Sequence, residues 1–112
     1  MDKITHYKQL AHKVLMEVVD FTKAFDNPEM MIVTDFEHGH FMLVSDRWAK
    51  NSHYYGPLIH VEVKNDGKVW LRHDGTNLEV GNDLLAAGIA KEDMVIGFHS
   101  PSMRKYTDFA LG

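Results

Sequence analysis

Eight histidines, sixteen carboxylates and twelve Lys or Arg side chains supply most of the chemistry open to this 112-residue sequence, which contains no cysteine. The missing thiol excludes disulfides, thiolate metal sites and cysteine nucleophiles. Imidazole with a carboxylate can still bind zinc or another metal, or move protons near neutral pH. His38 and His40 flank Gly39, and a strand puts alternate residues on one face, but no third ligand stands at a matching spacing. No structural metal and no cofactor are expected. A second constellation joins His73-Asp74-Gly75-Thr76 to His99 and Arg104, as base, orienting carboxylate and anion clamp. Plainer roles fit the same residues. Asp and Thr beside glycine bond turn backbone, Pro101 fixes its own φ after His99-Ser100, and Arg104 can grip carbonyls or the Asp74 carboxylate with its planar fork. On that reading no residue is catalytic, and a small hydrolase or nuclease using Asp74, His99 and Arg104 is the alternative. A third pattern sets Lys64, Lys68 and Arg72 around Trp70, the mixture of cations and aromatic ring that stacks on single-stranded nucleic acid. Glu62 interrupts it, and a solvated sheet face or a protein interface anchored by Trp70 is preferred.

These side chains must be held by a small number of elements. Ile4, Tyr7, Ala11, Val14, Val18, Phe21 and Phe25 recur at three- and four-residue steps, which predicts one long amphipathic helix. Asp2 is its expected N-cap and Asn27-Pro28 its stop. Next, residues 30–36 and 41–48 read as two strands joined by a turn at 37–40, with apolar residues on both alternating faces. Residues 58–64 and 68–72 flank Asn65-Asp66-Gly67 as a second hairpin. There Ile59, Val61, Val63, Val69 and Leu71 should face the core, leaving His60, Glu62, Lys64, Lys68, Trp70 and Arg72 on the other side. A short helix over 78–87 should end at Gly88, and Met94-Val95-Ile96-Gly97-Phe98 should form a last short strand or a packed extended segment. The expected fold is α+β: one domain over 1–112, with a long N-terminal helix on a mainly antiparallel sheet and a short second helix.

The formal charge of −4 argues against tight, sequence-independent DNA binding, which needs many Lys and Arg contacts to phosphates. Any role on DNA would run through a protein partner. The polar start and the lack of a long apolar run lead to an expected cytoplasmic location without a membrane segment. Trp70 and the two-faced first hairpin leave more apolar surface than one helix covers, so a homo-oligomer is expected.

The order of motifs resembles the XisI-like family, described as fdxN element excision controlling factor proteins. The matching stretches are Asp2 to Tyr7, Trp48 with Tyr55-Gly56, Ile59-His60-Val61, Gly67-Lys68-Val69-Trp70, Asp74-Gly75-Thr76, Lys91 to Val95, and Phe98-His99-Ser100-Pro101 with Arg104, Thr107, Phe109 and Ala110. The chain departs from the family's pattern at Ser52-His53, Asn77 and Ala90. The resemblance implies an accessory role in programmed excision of a DNA element during heterocyst differentiation, where a separate site-specific recombinase exchanges strands. It also implies a XisH-like, nuclease-type partner, and no catalytic residue carries over from the family. The candidate partner-binding or structural residues are Trp70, Arg72, Asp74, His99, Pro101 and Arg104, with a direct DNA-binding regulator as a further alternative.

Overall fold

The apolar stripe of the first segment folds as helix α1, Lys3–Lys23. Tyr7, Leu10, Ala11, Val14, Leu15 and Val18 are all buried along one face. Asp2 caps the helix as expected, its carboxylate accepting the Thr5 N–H at 2.7 Å and so satisfying one of the donors a helix start leaves open. A computed structural model describes residues 2–23, 30–76, 79–98 and 109–110. The predicted stop at Asn27-Pro28 lies outside them.

Five strands follow: β1 Met30–Asp35, β2 His40–Ala49, β3 Ser52–Val63, β4 Val69–Asp74 and β5 Met94–Ile96. They lie in chain order across one sheet. The first four pair antiparallel, while β5 runs parallel to β4. That reversal requires a crossover, supplied by α2, Val80–Ala87. Gly88 ends α2 at φ +123°, and its N–H bonds back to Leu84 and Leu85 carbonyls, an ending that suits a residue without Cβ. The fold is therefore α+β, a long N-terminal helix and a short second one on a mainly antiparallel sheet.

The core forms between the helices and one sheet face. Ile59, Val61, Val63, Val69 and Leu71, the predicted inward set, are each buried together with Phe41, Leu43 and Met94. The start of α1 is tied to the approach to β5. Lys3 Nζ pairs with Asp93 at 2.7 Å, while the Tyr7 hydroxyl donates to Asp93 at 2.7 Å and accepts the Ala90 N–H at 3.2 Å.

One element departs from the sequence reading. Residues 52–57, expected to connect two separate hairpins, belong to β3, which pairs with β2 from Ala49↔Ser52 to His40↔Glu62. His40 accordingly opens β2 instead of closing a turn. Two features hid the strand. The connecting turn uses Lys50 and Asn51 at φ 51° and 66°, the geometry of a two-residue hairpin that glycine usually marks. Pro57 also sits inside the strand, which is tolerated because the register slips beside it, leaving Leu58 unpaired as a bulge.

Candidate functional site

The helices cover one face of the sheet, and the other carries a row of interacting polar groups from β2, β3 and β4. Strand alternation places His40 and Met42, His60 and Glu62, and Trp70 and Arg72 there. Arg72 is the extra residue of a bulge, since Val61 pairs with Leu71 and His60 with His73. Its guanidinium meets Glu62 through Nε at 3.0 Å and Nη2 at 2.7 Å, both on Oε1. The same guanidinium lies 4.4 Å from the Trp70 ring centroid, and Lys64 Nζ lies 4.8 Å from it. Trp70 is half-buried beneath two cations, so the expected aromatic anchor is also the platform that orients Arg72 and Lys64. Burial pushes the Glu62 carboxyl up, but the Arg72 hydrogen bonds and charge outweigh it and hold the group below its ordinary value.

The row continues into two imidazoles. His40 Nδ1 and His60 Nε2 are 3.1 Å apart, close enough for a hydrogen bond that needs one nitrogen bare. His40 Nε2 approaches Glu62 Oε2 at 3.9 Å. Burial first, and then the His40 charge, lower the His60 pKa from its ordinary value of 6.5, with Glu62 opposing and Arg72 and His73 assisting. A proton therefore binds His60 more weakly in the folded chain than in the unfolded one, and stability rises with pH across that interval. The stabilisation is complete above about pH 6.5 and is lost as pH falls through the lowered value. Melting temperature should thus decline on acidification from pH 7.5 to 5, and His60→Gln should flatten the decline. Parallel curves for the two proteins would contradict the assignment. The carboxylates held low, Asp2, Asp35, Glu62 and Asp93, respond in a more acidic range.

Asp74 serves the backbone. Oδ1 accepts the Thr76 N–H at 2.9 Å and the Thr76 hydroxyl at 2.6 Å, and Oδ2 accepts the Val80 N–H at 3.1 Å. It thereby ends β4, closes the turn and caps the start of α2, as an Asx residue does. The structure brings Trp70 and Arg72 together and sets Asp74 apart from them. His99, Pro101 and Arg104 lie outside the described residues, as does the expected Asp74–Arg104 pairing. Among the described residues, no group of three His, Asp or Glu side chains is placed to hold a metal ion, and no helix is long and apolar enough to cross a membrane.

Sequence reasoning missed the free end of the β2–β3 ribbon. Trp48 and Tyr55 are each 67% exposed and Tyr54 50%. His53 stacks on Trp48 with centroids 4.6 Å apart and bonds Asp46 Oδ1 at 2.5 Å, while Arg47 lies 4.9 Å from the Tyr54 ring centroid. The available signal was the aromatic density of Trp48, Tyr54 and Tyr55 around a polar turn.

The family model described as XisI protein matches residues 1–111. The crystal structure of fdxN element excision controlling factor XisI from Anabaena variabilis is similar at a TM-score of 0.76 and 27% identity, over 99% of this chain and 100% of that one. A XisI-like protein from the same organism is similar at a TM-score of 0.85 and 26% identity, over 97% and 99% of the two chains. No curated protein matches the chain.

Proposed function

The chain belongs to the XisI family, and from that we propose that it is a controlling factor in site-specific excision of a DNA element such as the fdxN element. It acts without chemistry of its own, by binding a XisH-like, nuclease-type partner through the helix-free face of its sheet. Similarity to the fdxN element excision controlling factor XisI of Anabaena variabilis supports the excision role. The observation that carries the binding mode is the Glu62–Arg72–Trp70–Lys64 row. Arg72 is held by two hydrogen bonds to one Glu62 oxygen, and both cations lie over an aromatic ring, so little side-chain entropy remains to be lost on docking.

A net charge of −4 disfavours direct grip on DNA phosphates, so contact with nucleic acid is indirect, through the partner or a recombinase complex. The hydrolase alternative gains nothing from Asp74, whose oxygens already accept three hydrogen bonds from neighbouring residues. Calorimetric titration with a XisH-like protein tests the reading. A saturable complex is expected, with Arg72→Ala binding at least tenfold more weakly, about 1.4 kcal/mol. A folded chain that gives no complex would reject the proposal.

A further inference from the structure

The exposed ribbon and a groove on the helix layer of the same chain carry opposite charge. Beyond the bulge at Leu58, β2 and β3 continue as a two-stranded ribbon with aromatic groups on both faces: Trp48 and Tyr55 on the helix-free side, Tyr54 with Arg47 on the helix side. Stacking, the His53–Asp46 bond and the tight Lys50-Asn51 turn fix its shape. An isolated ribbon exposing such rings is marginal in water, and Trp, Tyr and Arg are the residues that dominate binding interfaces. Arg47 and Lys50 outnumber Asp46, so the ribbon is basic within a chain of net charge −4.

The groove lies between α1 and α2, with an apolar floor of Val14, Val18 and Phe21 and an acidic rim of Glu17 and Asp83. Lys13 Nζ is 3.9 Å from Glu17 on the exposed side. Burial, and then the charges of Glu17, Asp74 and Glu79, raise the Asp83 pKa, which marks negative charge in excess at the rim. The start of α1 lies beside the β3–β4 turn, where Lys3 approaches Gly67. Its C-terminal half, and the groove, therefore run toward the end of the sheet from which the ribbon extends.

We propose that the chain forms a two-fold dimer in which the ribbon of each copy lies in the α1–α2 groove of the other. Arg47 and Lys50 meet Glu17 and Asp83, and Tyr54, on the same face of the ribbon as Arg47, covers the apolar floor. Reciprocal contacts of this kind are isologous and close at two copies. The helix-free face stays open in this arrangement, so the dimer does not depend on the function proposed above.

Light scattering after size exclusion tests this with two charge-reversed proteins: one carrying Arg47→Glu and Lys50→Glu, the other Glu17→Lys and Asp83→Lys. The wild type should be a dimer at up to about 100 μM, where an interface of micromolar Kd is populated. Each variant alone should be a folded monomer by circular dichroism and mass, because ribbon and groove then carry like charge. Mixed in equal amounts they should form a heterodimer, since both of its contacts again join opposite charges. A monomeric wild type, variants that remain dimers, or a mixture that stays monomeric would each overturn the proposal.

Discussion

Gly39→Ala should lower the unfolding free energy by roughly 3 kcal/mol or more, an effect in the exceptional tail of single substitutions. Gly39 sits at φ +78°, and a Cβ there would stand 2.1 Å from the Val63 carbonyl oxygen. The left-handed conformation alone costs Ala about 1 kcal/mol. The larger cost is steric, because the obstructing atom is backbone and cannot rotate aside. The Gly39 carbonyl accepts the Val63 N–H at 2.7 Å, and its own N–H bonds the Asp35 carbonyl at 2.7 Å. Relief would therefore separate β2 from β3 at the end where His40 meets Glu62. Urea unfolding measures the loss, and a change below 1 kcal/mol would mean that the turn yields without disturbing the strands.

Trp70→Ala should weaken binding of the proposed XisH-like partner about a hundredfold, ~2.7 kcal/mol, the range of an interface hot spot. The substitution removes the ring that both Arg72 and Lys64 lie over, so two cations lose their placement along with the apolar surface. Gly97 is packed against the same ring, where an added Cβ would stand 3.2 Å from Trp70 Cε3, and the truncation also loosens the edge at β5. Trp70→Phe keeps a ring in place and should retain most of the stability with an intermediate loss of affinity. A folded Trp70→Ala protein that binds as the wild type does would move the interface off this face.

The elements with strong period were legible from the residues. Three- and four-residue apolar steps gave α1, strict alternation gave Val61–Val63 against Val69–Leu71, and Gly88 marked the end of α2. The β2–β3 ribbon was hidden because its turn lacks glycine and its second strand contains Pro57, both local signals against a strand that the sheet register overrides. The Glu62–Arg72–Trp70 row was half visible. Alternation put the three on one face, but the bulge at Arg72 that brings its guanidinium onto Glu62 depends on pairing between strands. The His40–His60 contact was beyond reach for the same reason, since twenty residues separate partners joined only by the register of β2 on β3. Asp74 was placed correctly in a backbone role, whereas its bond to Val80 six residues on needed the helix position.

That this chain works by contact and performs no chemistry is tested most directly by a nuclease and phosphoesterase assay with added divalent metal, on the purified chain alone and together with the XisH-like protein. The predicted result is no turnover by the chain alone and a changed rate of DNA cleavage by the partner when the two form a complex. Robust turnover by the wild-type chain alone, abolished in a His99→Ala variant with unchanged melting, would contradict it and establish the hydrolase.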